Sequence, residues 1–156
     1  MQLQIVAIGT KMPDWVTEPF REYQKRMPNE LQVTLKEVSS EQRNSNQSTD
    51  TIKSRETNRL LQHVPPGNTL IALDEKGKSL NTEELSQRVA QWQQQGQDVS
   101  LLVGGPDGLD HSQLQDVAWR WSLSPLTLPH PLVRIVLAEQ LYRAWSLSIG
   151  HPYHRR

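Results

Sequence analysis

The sequence has no cysteine among its 156 residues, so it can form neither a disulfide nor a thiolate metal site. This absence fits a protein that works in a reducing cytoplasm. The chain also has no run approaching the ~18 consecutive apolar residues that a membrane span needs. Its first residues alternate polar and apolar too briefly for a signal peptide, and no basic region precedes them. We therefore expect a cytoplasmic protein with no membrane partner.

Charge of one sign is not in excess either. Lysine plus arginine and aspartate plus glutamate number 17 each, so net charge gives no indication of a nucleic-acid partner. The distribution is less even, because the chain from His130 onward carries four arginines, three histidines and one acid. The length is typical of a single domain with one core, spanning residues 1–156.

Hydrophobic periodicity predicts strands that alternate with helices along the whole chain. The predicted strands are 2–8, 31–38, 69–73, 99–103 and 121–123. The predicted helices start at caps or first turns at Asp14, Thr51, Asn81, Asp110 and Pro131, and a polar flexible loop (39–50) and a turn (74–78) are predicted between elements. This alternation indicates an α/β fold with a parallel sheet and helices on its faces. Ligands of such sheets bind at the carboxyl ends of strands, which here are Leu73, residues 104–105 and Ser124.

A glycine-rich corner, Gly104-Gly105-Pro106-Asp107-Gly108, follows the predicted strand at 99–103. It has neither the spacing of the dinucleotide fingerprint nor the Gly-Lys-Ser/Thr of a phosphate loop. Two interpretations stay open. The corner is either a tight turn before a capped helix, or a place where the first two glycines let an adenosine-like ligand approach the backbone closely.

A second corner runs from Ser124 to Pro131 and contains three prolines in eight residues. It is either a rigid connector or a stiff apolar wall of a pocket. In the second interpretation Leu126 and Leu128 cover an aromatic ring while free backbone groups bind its edge, and proline rigidity lowers the ordering cost of binding.

The last helix carries apolar residues at a spacing of four, which are typical of a core face or of a dimer seam. Arg134 and Arg143 lie on its polar flank, where solvent exposure is expected. The residues after it, His151 to Arg156, combine aromatic and cationic side chains that suit a base and a phosphate, although chain ends are usually disordered. Two of the histidines are three residues apart, but no cysteine or carboxylate cluster accompanies them, so no metal site is expected.

Several motifs, taken in their order along the chain, resemble one known family over essentially the full length. They are Gly9-Thr10-Lys11, residues 73–78, 104–108, 122–124, 126–130, Val133-Arg134, 138–145 and the end at 151–155. In these the chain resembles the ribosomal RNA large subunit methyltransferase H family, the smallest branch of the SPOUT methyltransferases.

The resemblance implies a homodimer whose parallel-sheet SPOUT fold has a C-terminal trefoil knot. It implies S-adenosyl-L-methionine as cofactor and, as substrate, N3 of pseudouridine 1915 in helix 69 of 23S rRNA, methylated on the assembled ribosome. The cofactor-binding residues carried over by motif are Leu73, Gly104, Gly105, Ser124, Pro125, Leu126, Thr127, Leu128 and Pro129. The catalytic candidates are His130, Tyr153, His154 and Arg155, and the RNA-binding candidates are Arg134, Tyr153 and Arg155, with part of each site completed across the dimer.

The implied chemistry requires N3, an imide nitrogen, to lose its proton. His130, His154 or a water could act as the general base, Tyr153 could stack on a base, and Arg155 could hold a phosphate. One departure from the family concerns residues 40–46, which contain one basic residue where relatives often have a Gly-Lys-Arg-rich loop. Weaker or differently placed ribosome contacts are expected there. The alternatives are a SPOUT enzyme acting on tRNA and a non-catalytic ribosome assembly factor.

Overall fold

The structure, a computed structural model, describes residues 1–43 and 46–155. Within these ranges the strands are Gln2–Ile8 (β1), Gln32–Val38 (β2), Thr69–Ser79 (β3), Val99–Val103 (β4) and Trp119–Ser122 (β5). The α-helices are Asp14–Arg26 (α1), Thr49–Gln62 (α2), Thr82–Gln95 (α3) and His130–Ser148 (α4), and a 3₁₀ turn lies at His111–Gln113. No helix in the described part of the chain is long and apolar enough to cross a lipid bilayer.

The strands form one parallel sheet in the order β2-β1-β4-β3-β5. Leu3 of β1 pairs with Val33 on one side and with Val99 on the other, so β1 is a central strand. Because every pair is parallel, the carboxyl ends of all the strands lie at the same edge. The predicted α/β class and parallel sheet are confirmed.

Alternate residues of β1 face two separate hydrophobic clusters. Leu3, Ile5 and Ala7 pack with apolar side chains of α1, α3 and α4, whereas Val6 and Ile8 belong to the cluster on the α2 side. Apart from Gln2 and Gln4 at its start, β1 is apolar on both faces, as a strand covered by helices on both sides requires. The helices thus cover the sheet on both sides and leave its carboxyl edge for a site.

The residues predicted to begin and end α3 do so in the structure. The Asn81 side chain accepts from the Glu84 N–H at 2.8 Å, and the Glu84 carboxylate accepts from the Asn81 N–H, which is a capping box. Gly96 closes the helix in the left-handed conformation, with φ of 61°. The predicted start and end of this helix are confirmed.

The prediction that β3 ends at the turn formed by residues 74–78 is wrong, because the strand continues beyond them. Leu73 and Lys78 both pair with Trp121, so the residues between them bulge out and the strand resumes on the same partner. Within the bulge the Asp74 carboxylate accepts from the Lys76 N–H at 3.0 Å, a local bond typical of turns. The turn chemistry is present, but continued pairing with β5 overrides it.

The predicted helix after Asp110 is also wrong. Asp110 does act as a cap, accepting from the Ser112 N–H at 3.1 Å, but only the 3₁₀ turn follows. The backbone then extends towards β5, and the Ala118 N–H donates to the Leu70 carbonyl at 2.7 Å. Pairing with β3 therefore takes over the residues that a longer helix would have used.

Other boundaries shift by a few residues. α1 has Pro13 rather than Asp14 at its N-cap, and no side chain caps it. α2 starts two residues before Thr51, because the Ser48 hydroxyl accepts from the Thr51 N–H at 3.1 Å. It ends at Gln62, and β5 starts two residues earlier than expected. The flexible loop predicted for 39–50 therefore stops at residue 48, and its residues 44–45 lie outside the described ranges.

Candidate functional site

Three segments distant in sequence meet at the carboxyl edge of the sheet. A Cβ placed on Gly9, which follows β1, would lie 3.5 Å from Cε1 of His130 and 3.3 Å from Nη2 of Arg134, both in α4. A Cβ on Gly105, which follows β4, would lie 3.0 Å from Cγ2 of Ile8 in β1. The end of β1, the glycine corner (residues 104–108) and the start of α4 are thus immediate neighbours.

Contacts within the chain explain the two glycines at the corner. A Cβ on Gly104 would come within 2.9 Å of the Gly108 carbonyl carbon, because the corner folds back on itself. A Cβ on Gly105 would lie 3.1 Å from Oε1 of Glu56 as well as against Ile8. The glycines are therefore needed for packing whether or not a ligand approaches, and their presence alone does not distinguish the two interpretations of this motif.

The second corner, which we call the proline loop (residues 124–129), is tied to the bulge of β3. The Ser122 hydroxyl donates to the Glu75 carbonyl at 2.9 Å, and the Thr127 hydroxyl donates to the Glu75 carboxylate at 2.6 Å. Inside the loop, the Leu126 N–H donates to the Ser124 hydroxyl at 3.0 Å. The loop is therefore held beside Leu73, the last residue of β3 before the bulge.

The proline loop presents groups that can bind a flat aromatic ligand. Within the described part of the chain, the N–H groups of Thr127 and Leu128 have no hydrogen-bond partner. Leu126 is 71% exposed, which is unusual for a large apolar residue. Free backbone donors beside exposed leucine suit a purine ring, which needs apolar cover on its faces and hydrogen bonds at its edge.

His130 lies at the first position of α4, against Gly9. Its Nδ1 is buried and has no hydrogen-bond partner among the residues that the structure describes. Burial lowers the pKa of His130 below its ordinary value, and the positive charges of Arg134 and Arg43 lower it further. The imidazole is therefore neutral at pH 7, the form in which a histidine can accept a proton.

Arg134 is 1% exposed, so the prediction that it lies solvated on a polar flank is wrong. Its guanidinium donates to the Ile8 carbonyl at 3.1 Å, to the Gly9 carbonyl at 2.7 Å and to the Glu37 carboxylate at 2.7 Å. These bonds join α4 to the ends of β1 and β2. In this arrangement the side chain has almost no surface with which to contact RNA.

The C-terminal segment is ordered against α4. The ring of Tyr153 packs on Tyr142 with 4.7 Å between centroids and under the Arg143 guanidinium at 5.0 Å, and its hydroxyl donates to Glu139 at 2.9 Å. Burial, with hydrogen bonds to Tyr23 and Glu139, raises the pKa of Tyr153 above its ordinary value. Of the residues that follow, His154 has both ring nitrogens buried, with no partner for either within 1–43 and 46–155, and Arg155 is exposed.

The tail does not reach the glycine corner of its own chain. Glu139, which holds Tyr153, is nine residues from His130 along α4, and a rise of ~1.5 Å per residue separates them by about 14 Å. The structure therefore brings His130 and Arg134 together with the glycine corner, and it places Tyr153, His154 and Arg155 elsewhere.

Two clusters of ionisable residues near this edge were missed from the sequence. In one, Arg43 lies between Asp107 and the buried Glu56. In the other, His111 Nε2 lies 3.3 Å from Asp74, and burial, followed by the charge of a nearby arginine, lowers the pKa of His111. Of the residues in these two clusters, only Arg43 stood out in the sequence, as the one basic residue at positions 40–46. Across the described ranges, no three His, Asp or Glu side chains come together in a way that could hold a metal ion.

Comparison with known proteins places this chain in a family. Residues 1–154 match the family described as "Predicted SPOUT methyltransferase". Two similar relatives are each named "Ribosomal RNA large subunit methyltransferase H". The one from Hydrogenovibrio crunogenus is 49% identical over 155 residues and the one from Hahella chejuensis is 48% identical over 155 residues, with 99% of both chains covered in each case.

The parallel sheet with its two corners is therefore that of a SPOUT methyltransferase. The chain belongs, within that class, to the ribosomal RNA large subunit methyltransferase H family.

Proposed function

We propose that the protein, as one methyltransferase domain over residues 1–156, transfers the methyl group of S-adenosyl-L-methionine to N3 of pseudouridine 1915 in helix 69 of 23S rRNA. The observation that carries this proposal is the meeting of the glycine corner, the end of β1 and His130 at the carboxyl edge of the sheet. The family indicates methyl transfer, and the name that the two relatives share indicates ribosomal RNA of the large subunit as the substrate.

The cofactor would be held by Leu73, the glycines at 104 and 105, and the proline loop. The unpaired N–H groups of Thr127 and Leu128 would bind the edge of the adenine, and the exposed Leu126 would cover its face. S-adenosylmethionine, when bound, supplies an electrophilic methyl group, so no covalent intermediate with the protein is required. The protein then contributes mainly by orienting N3 in line with that methyl group.

His130 is the base that we propose for the N3 proton. It lies against Gly9 at the end of β1, which packs next to the glycine corner, and its lowered pKa keeps it neutral. Because Nδ1 is buried without a partner, the other ring nitrogen, Nε2, would accept the proton. His154 and a water are the alternatives. His154 lies in the tail, which is held against the middle of α4 of its own chain, so it could reach the N3 proton only from the tail of a second chain.

The tail would bind the RNA, with Tyr153 stacking on a base and Arg155 holding a phosphate. In the structure Tyr153 packs within its own chain, about 14 Å along α4 from the corner, so a second chain would have to bring a tail to this site. We accordingly propose a homodimer. Two exposed apolar side chains support it: Trp15 of α1 is 56% exposed and Leu132 of α4 is 37% exposed.

We also propose the trefoil knot. The chain leaves β3, forms β4 on one side of it, and returns to form β5 on the other side. The backbone of Arg120 then passes so close to the bulge that a Cβ on Gly77 would meet it at 2.7 Å. An experimental structure in which residues after β5 run beside the 74–79 segment, rather than through the loop it forms, would refute the knot. Light scattering that gives the mass of one chain would refute the dimer.

The proposal as a whole is tested with methyl-labelled S-adenosylmethionine and ribosomes from cells that lack this methylation. Parallel reactions use ribosomes without pseudouridine at the site, naked 23S rRNA, and tRNA. We expect label only in pseudouridylated ribosomes, and mass spectrometry of the digested RNA should place it on N3. A cytoplasmic location follows from that substrate.

The other outcomes separate the alternatives. Label in tRNA with none in ribosomes would support a SPOUT enzyme acting on tRNA. Bound cofactor without label in any of these RNAs would redirect the search to another substrate. No label and no cofactor binding would support a non-catalytic assembly factor.

A further inference from the structure

A buried carboxylate lies beneath the glycine corner and has no part in the function proposed above. Glu56 of α2 is 1% exposed. Its Oε2 accepts from the Glu41 N–H at 3.0 Å, whereas its Oε1 has no partner among the described residues. That free oxygen lies 3.1 Å from where a Cβ on Gly105 would stand, so the carboxylate packs directly against the corner backbone.

Arg43 connects this carboxylate to the corner. Its Nη2 lies 3.6 Å from Oε2 of Glu56 and 3.0 Å from Oδ2 of Asp107, and its Nε donates to the same Asp107 oxygen at 3.1 Å. The guanidinium is planar and its donors have a fixed geometry, so a pair of carboxylates bound to it is held at a set separation. One arginine thus joins α2 to residues 104–108.

The segment that carries Arg43 is itself anchored to α2. Arg55 donates to the Glu41 carboxylate at 3.2 Å, and Arg59 donates to the same carboxylate and to the Ser39 carbonyl, the latter at 3.1 Å. A buried carboxylate that loses its cation becomes an uncompensated charge, which strongly disfavours any arrangement without Arg43. Residues 39–43 and the glycine corner are therefore held to one helix as a unit.

We propose that Glu56 is a positioning residue of the cofactor site, which acts through Arg43 to hold Gly105 and Asp107 in the arrangement that binds S-adenosylmethionine. This inference rests on the proposed function, since it takes the glycine corner to be part of the cofactor site. The cluster touches the corner rather than the proposed RNA-binding tail. Its loss should therefore weaken cofactor binding more than it slows methyl transfer at saturating cofactor.

The test uses the full-length protein and its variants Glu56→Gln, Arg43→Gln and the double variant, with S-adenosylmethionine affinity measured by titration calorimetry. Glutamine keeps the size of Glu56 and can still accept the Glu41 N–H, but it removes the charge that holds Arg43. We expect each single variant to raise Kd about tenfold, and the double variant to raise it about tenfold to twentyfold, because the two residues act as one unit. At saturating cofactor and about pH 8, where His130 is neutral with or without the charge of Arg43, kcat on ribosomes should stay within about threefold of wild type.

Glu22→Gln is the matched control. Glu22 also pairs with an arginine, but on the exposed surface of α1, so this variant should bind the cofactor as the wild type does. If Glu56→Gln does not fold, Arg43→Gln and Asp107→Asn test the same connection from partly exposed positions.

Three results would overturn the inference: wild-type affinity in Arg43→Gln, a double variant weakened about a hundredfold as expected for independent residues, or a fall in kcat with unchanged Kd. Failure of the wild type itself to bind S-adenosylmethionine would instead refute the proposed function. The two failures are therefore distinguishable in one set of titrations.

Discussion

Replacing Arg134 by methionine tests whether this arginine supports the fold or contacts RNA. The change removes the donors to two buried carbonyls, those of Ile8 and Gly9, and leaves Glu37 without its partner. An unpaired buried acceptor costs about 1–3 kcal/mol. Glu37 is partly exposed and can be solvated, so we assign the loss to the two carbonyls. The variant should be about 3 kcal/mol less stable than the wild type.

Urea unfolding at matched protein concentration measures this loss. With a denaturant slope of about 2 kcal/mol per molar, the midpoint should fall by about 1.5 M. Arg134→Lys is the informative companion, because an ammonium group can still reach one or two of the acceptors, so about half of the loss is expected. If Arg134→Met unfolds at the wild-type midpoint while its methylation of ribosomes becomes less sensitive to salt, the guanidinium binds phosphate and the structural interpretation is wrong.

Four further predictions follow. Because burial lowers the pKa of His130, wild-type kcat should stay constant as the pH falls to the ordinary histidine value of about 6.5 and decline only below it. His130→Gln should lower kcat at pH 7 by about a hundredfold, and a small change would exclude it as the base. Deleting residues 153–156 should abolish methylation and change cofactor Kd by less than about twofold, since the tail lies about 14 Å along α4 from the corner; loss of cofactor binding would contradict this separation. Gly105→Ala should cost about 1–3 kcal/mol of stability, because its Cβ would press on Ile8 and Glu56. Unchanged thermal unfolding would show that the corner can relax.

The elements that the sequence predicted well are those with strong local causes. The capping box at Asn81 and the hydrophobic pattern of β1 need no knowledge of distant partners. The bulge in β3 and the short turn after Asp110 were mispredicted because pairing with β5 decides both. That pairing depends on contacts some 50 residues apart, which local propensity does not encode.

The residues of the candidate site also fall into those that the sequence could indicate and those that it could not. Motifs indicated the two corners and His130, and the structure places the glycine corner and His130 on the end of β1, at Ile8 and Gly9 respectively. They could not indicate that Arg134 is buried, because its acceptors are backbone carbonyls at the end of β1, 125 and 126 residues away. Nor could they indicate Glu56, since a glutamate on a polar helix is normally solvated. Both residues take their roles from neighbours that only the folded chain provides.

The hydrogen bond between Arg134 and Gly9 has a consequence for how the protein folds during its synthesis. It closes a loop of 125 residues, and it joins β1 to a helix that is synthesised much later. A nascent chain that lacks α4 therefore has a cofactor site without its histidine and a first strand whose end is unsupported. Activity should consequently appear only after α4 has left the exit tunnel, in one late step rather than by degrees.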